Sequence, residues 1–94
     1  RQIWLQELYL TVLDELAATY LRNGNVQDAH DVYVLIMEQD SCREHSCLQL
    51  IQLELTMGKC VLARHHCTQL RIALRDELGV EVNHEIQSLC QEFM

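Results

Sequence analysis

Shifted by 34 positions, the chain overlays on itself: Leu16 falls on Leu50, Leu21 on Leu55, Gly24 on Gly58, Ala29 on Ala63 and Ile36 on Leu70. Looser pairs keep the same frame, with Leu13 on Cys47, Ala17 on Ile51 and Tyr33 on Cys67. Two glycines at one spacing could be coincidence, but five or more matches in a single frame are hard to dismiss. A fixed period of this length means one structural unit used twice. Each copy is too small to bury its own apolar face, so the copies must stack.

The unit is a pair of helices. The chain has no proline and only three glycines, and long side chains that favour helices dominate. Apolar residues recur at helical spacing. The first helix is expected from about Gln2 to Arg22, stopping at Asn23-Gly24. The second follows the candidate cap Asn25 and runs to about Gln39, with Val26, Ala29, Tyr33, Ile36 and Met37 on one face. Asp40 and Ser41 mark a turn and are expected to cap a third helix from about Arg43 to Met57, which ends at Gly58. A fourth covers about Cys60 to Leu78, with Ala63, Cys67, Leu70 and Leu74 aligned. After Gly79, Asn83 is expected to cap a fifth helix from about His84, with Glu85 favourably placed in its first turn.

A 34-residue period of two helices is the tetratricopeptide spacing. Residues 13 to 33 resemble that motif: Leu16-Ala17, Tyr20, Gly24, Ala29 and Tyr33 stand where it carries Leu-Gly, Tyr, Gly, Ala and an aromatic. Small residues at Ala29 and Ala63 let the two helices of a pair approach, and Gly24 and Gly58 make the turns. The second copy departs at Glu54, where Tyr is expected, which should weaken its packing. A stack leaves an apolar end, and the fifth helix, with Ile86, Leu89, Cys90 and Phe93 inward, is expected to close it. The expected fold is all-α: a tetratricopeptide-like right-handed stack of two antiparallel helix hairpins plus a C-terminal capping helix, one domain over residues 1–94.

Charge and residue usage exclude several functions. The net charge is −7 and the seven basic residues are scattered, a poor match to nucleic-acid binding, which needs clustered Lys and Arg. No apolar run reaches the roughly 20 residues of a membrane span, and no signal peptide is visible. The five cysteines are an odd number without the spacing of a secreted framework. Cys47, Cys67 and Cys90 fall at apolar helical positions and are expected to be free, small and apolar in character. A cytoplasmic location follows from that reading. His65, His66 and Cys67 are contiguous and so point about 100° apart on a helix. Cys60 is too far from Cys67 for zinc spacing, so no metal is expected. No phosphate loop, nucleophile elbow or carboxylate pair suggests an enzyme or a cofactor. Because the chain opens on Arg1 inside a helical pattern, it is expected to be part of a larger protein.

The run "LRDELGVEVNHE" (residues 74–85), together with Asp40, Glu44, Gly58 and Ala63, resembles the bacterial transcriptional activator domain. Val82 stands where that family carries proline. The resemblance covers nearly the whole chain. It implies a module C-terminal to a winged-helix DNA-binding domain in a bacterial regulator, making subunit or partner contacts while the other domain reads DNA.

Two surfaces are candidates for such contacts. A concave groove would be lined by Thr11, Asp14, Ala18, Leu21 and Arg22 of the first pair and His45, Leu48, Gln52, Leu55 and Thr56 of the second. The first half of helix 1 carries Ile3, Trp4, Leu5, Leu8, Tyr9 and Val12 over more than one face. Such a band implies burial against further helices or self-association as a homodimer. Arg64, Arg71 and Arg75 lie near one line of helix 4 and read best as a solvated face, although an acidic partner such as the transcription machinery could meet them. The alternative function is a free-standing tetratricopeptide adaptor unrelated to transcription, and an enzyme-associated regulatory domain is a third class.

Overall fold

The computed structural model describes residues 2–92, with the side chains of Gln2, Ile3 and Glu92 outside that description. Phe93, expected to point inward, and the Ile3 side chain therefore lie outside the described residues. The order is α1 (Gln2–Arg22), α2 (Val26–Gln39), α3 (Glu44–Thr56), α4 (Cys60–Leu78) and α5 (His84–Glu92), with no strand among the described residues. Neighbours in sequence pack as neighbours in space: α1 on α2, α2 on α3, α3 on α4, and α5 on α4.

The repeat is visible in the backbone as well as in the side chains. At the end of α1, the Gly24 N–H donates to the Leu21 carbonyl (3.1 Å) and the Asn25 N–H to the Tyr20 carbonyl (2.8 Å). At the end of α3, the Gly58 N–H donates to Leu55 (3.1 Å) and the Lys59 N–H to Glu54 (2.7 Å). Both are Schellman endings, satisfying carbonyls the helix would otherwise leave unpaired. They require a left-handed residue, and Gly24 and Gly58 have φ of 79° and 78°. Beyond each turn, Ala29 and Ala63 are fully buried at the crossing of their hairpin's helices.

Two core clusters result, each completed by the element that follows its hairpin. The first joins Leu10, Leu13 and Ala17 of α1 to Ala29, Tyr33 and Ile36 of α2, and is closed by Leu50 and Leu53 of α3. The second joins Cys47, Leu48 and Ile51 of α3 to Ala63, Cys67, Leu70 and Leu74 of α4, and is closed by Ile86 and Cys90 of α5. Helix α3 is thus buried on two sides. Met37 packs against both clusters and ties them together.

The short α5 is held at its start as the sequence predicts. The Asn83 side chain accepts from the Ile86 N–H (2.9 Å), and the Asn83 N–H donates to Glu44 Oε2 at the start of α3 (2.8 Å). Other expectations need correction. Asn25 sits at the N-cap of α2 but makes no side-chain cap bond. Asp40 and Ser41 do not cap α3; Arg43 occupies that position, and Asp40 Oδ1 instead accepts from the Cys42 N–H (3.1 Å), folding the turn on itself. Expected as free apolar side chains, Cys67 and Cys90 are joined in a disulfide across α4 and α5. The return of α5 along α4 brings them face to face. Their pairing removes the cysteine-based ground for expecting a reducing compartment.

Candidate protein-contact surfaces

Helix α1 buries Leu10, Leu13 and Ala17 against α2 and leaves another face open. On that face lie Trp4, Leu5, Leu8, Tyr9, Val12 and Leu16, all exposed, with Trp4 at 65%. The spacing at 5, 8/9, 12 and 16 makes a continuous stripe along one side of the helix. The repeat shows what such a stripe is normally against. Val12 (54% exposed) and Leu16 (39%) correspond to Ser46 and Leu50 of α3, both 0% exposed. In α3 that face lies against the first hairpin. In α1 nothing among the described residues covers it.

The predicted groove is partly closed by the chain's own side chains. Arg43 donates from Nε (3.2 Å) and Nη2 (3.0 Å) to Asp14 Oδ2, and from Nη1 to Glu7 Oε1 (3.2 Å). Ser46 Oγ donates to the other Asp14 oxygen at 2.6 Å. Burial works against the Arg43 charge, but these carboxylates outweigh it and raise its pKa. Asp14 therefore joins α1 to the start of α3. Leu48 is buried in the second cluster, and Ala18, Leu21 and Leu55 are half-buried. Of the groove residues, Thr11, Arg22, His45, Gln52 and Thr56 remain exposed. Thr11 and Thr56 turn their hydroxyls back to the carbonyls of Glu7 and Gln52.

Glu54 corrects the expectation of weak packing in the second copy. Its carboxylate is 0% exposed and bridges two rings: Oε2 to His30 Nε2 and Oε1 to His66 Nδ1, each at 2.8 Å. A carboxylate only accepts, so each ring donates its N–H, which assigns His30 the Nε2–H and His66 the Nδ1–H. His30 Nδ1 is then left buried without a hydrogen-bond partner, with Asp31 Oδ1 3.9 Å away. One residue thus joins α2, α3 and α4 by polar contacts where the first copy has the half-buried Tyr20. The pattern was hard to foresee, because the two histidines stand 24 residues before and 12 after Glu54. The one available sign was an acidic residue at a position that the repeat assigns to the interior.

On the far side, Arg71 and Arg75 border a cleft between α4, the connection after it and α5, whereas Arg64 is exposed on α4 outside it. Among the described residues no three His, Cys, Asp or Glu side chains are arranged to hold a metal ion, and no helix is long and apolar enough to cross a membrane. Residues 1–93 match the family model described as bacterial transcriptional activator domain. No curated protein and no solved structure matches the chain significantly.

Proposed function

We propose a role from one premise: this chain belongs to the bacterial transcriptional activator domain family, a regulatory and non-catalytic one. In our reading it is the protein-contact module of a cytoplasmic transcription regulator, holding subunits together while a separate domain reads DNA. The observation that supports this is the open stripe on α1. At its C-terminal end, the repeat counterparts of Val12 and Leu16 are the enclosed Ser46 and Leu50 of α3, so that part of the α1 stripe has the position of a helix-packing face without its neighbour. A second copy offers the same stripe and can pair with it about a two-fold axis.

Two measurements test this reading. Sedimentation of the 94-residue chain should show monomer at low concentration passing to dimer as concentration rises. Leu8→Glu and Val12→Glu, both on exposed positions, should abolish the dimer without lowering helix content. In the full regulator the same substitutions should reduce activation at a target promoter while DNA binding by the separate domain persists. A chain that stays monomeric at high concentration, or activation unchanged by both substitutions, contradicts the reading.

A further inference from the structure

The cleft beside α5 combines three features: an interhelical disulfide in its wall, two arginines and a carboxylate. Its volume is about 480 Å³, and it is lined by Arg71 and Arg75 of α4, Glu81 of the connection, and Gln87, Cys90 and Gln91 of α5. Of the two bonded sulfur residues, Cys90 lines the cleft, whereas Cys67 is enclosed with Leu70 and Leu74. We propose that this cleft is a thiol-exchange site, in which a carboxylate-bearing amino-acid thiol of the glutathione class docks between Arg71, Arg75 and Glu81 and opens the Cys67–Cys90 disulfide at Cys90.

The chemistry of the lining selects that class. In a chain of net charge −7, an anionic ligand is repelled over most of the surface. Arg71 and Arg75 together make the wall locally positive and so draw carboxylates, Glu81 suits an ammonium group, and the Gln87 and Gln91 amides can meet peptide groups. The thiolate sulfur of the ligand forms a bond to Cys90 Sγ. The Cys67–Cys90 bond breaks, its electron pair leaves on Cys67 Sγ, and that sulfur takes a proton from water. A second thiolate then attacks the ligand sulfur of the mixed disulfide, releasing Cys90 and the small-molecule disulfide, so two thiols are oxidised as one protein disulfide is reduced. Arg71 lies one helical turn after Cys67, where its charge favours the departing thiolate. Cys47 shares this core, but its burial, with the charges of Glu54 and Glu44 adding, pushes its thiol up to about 12, so it stays protonated and does not compete.

Opening the bond changes the fold locally. With the Cys67–Cys90 bond opened, α5 loses its covalent tie to α4 while Cys90 carries the attached peptide. A nine-residue helix is too short to persist alone, and its departure uncovers Leu70 and Leu74. Redox state thereby sets whether the stack is capped.

The test compares glutathione with cysteamine, which lacks carboxylates, on the air-oxidised chain at equal thiolate concentration, with acid quenching and peptide mass mapping. Glutathione should open the disulfide about tenfold faster, the scale of two modest ion pairs, and leave its adduct on Cys90. Arg75→Gln and Arg71→Gln, on exposed and half-exposed positions, should each shrink that advantage. Equal rates for the two thiols, an adduct on Cys67, an advantage untouched by both substitutions, or Cys67 and Cys90 both alkylated in the air-oxidised chain would each overturn the proposal.

Discussion

The α1–α2 and α3–α4 hairpins end their first helices with the same pair of backbone hydrogen bonds and place an alanine at the same crossing, yet their side chains live in different surroundings. Leu13 and Cys47, Ala17 and Ile51, Tyr33 and Cys67, and Ile36 and Leu70 are buried in both copies. Val12 and Leu16 are open where Ser46 and Leu50 are enclosed. Local sequence sets the helices and turns of each unit, and the neighbours of that unit set what its outer faces must be. An enclosed face carries polar residues at low cost where their groups find partners. Ser46 finds Asp14, and Glu54 finds His30 and His66.

The contrast between Tyr20 and Glu54 gives the largest expected effect. Glu54→Ala leaves the buried His30 and the half-buried His66 rings without their acceptor and should cost about 2–4 kcal/mol in urea unfolding. Glu54→Gln keeps one acceptor and one donor and should cost less. Tyr20→Ala, at the same repeat position, loses only partial burial. If Glu54→Ala costs no more than Tyr20→Ala, the polar bridge does not stabilise the second hairpin.

Leu13 and Cys47 separate the hairpins by pH. The folded Cys47 thiol titrates at about 12 against an ordinary value of 9.0, so its contribution is fully present below pH 9 and is lost as pH rises through the folded value. Across that window the loss reaches about 4 kcal/mol. Cys47→Ala should therefore be destabilising at neutral pH, with the gap from the natural chain narrowing as pH climbs. Leu13→Ala should show a gap that does not depend on Cys47. A constant Cys47→Ala gap from pH 8 to 11 would break this expectation.

Reducing the Cys67–Cys90 bond should cost about 3 kcal/mol, the scale for a loop of this length. Hydrogen exchange should place the change in α4 and α5 and leave α1 and α2 protected; uniform loss would mean that the hairpins unfold as one unit. The smallest effect is shared. Gly24→Ala and Gly58→Ala each force a non-glycine residue to positive φ at a site with open space for the methyl group, costing about 1–2 kcal/mol. Unequal costs would show that the two turns differ in more than their neighbours.

Much of this architecture is legible in the sequence, because helices, glycine turns and alanine crossings depend on residues close in the chain. The bounds of α2 and α4 follow from periodicity, and α3 is one residue shorter at each end than expected. Asn83 reads as a cap because its partner, the Ile86 N–H, is three residues away. What could not be read depends on distant partners. Glu54 looks like a defect until α2 and α4 bring His30 and His66 to it. The disulfide depends on the path by which α5 returns to α4. The tie that Asp14 makes between α1 and the start of α3 is visible only once Arg43 and Ser46 reach it. Leu16 and Leu50 are indistinguishable by sequence, since only the placement of α3 beside the first hairpin separates their fates.

That last pair supplies the most direct measurement of the central claim. Urea unfolding of Leu16→Ala and Leu50→Ala, at a dilution where sedimentation gives the monomer mass, compares one residue type at one repeat position in two environments. Leu50→Ala should cost about 2–5 kcal/mol and Leu16→Ala less than about 1 kcal/mol. Equal costs would contradict the account, because they would mean that the outer face of α1 is as enclosed as its counterpart in α3.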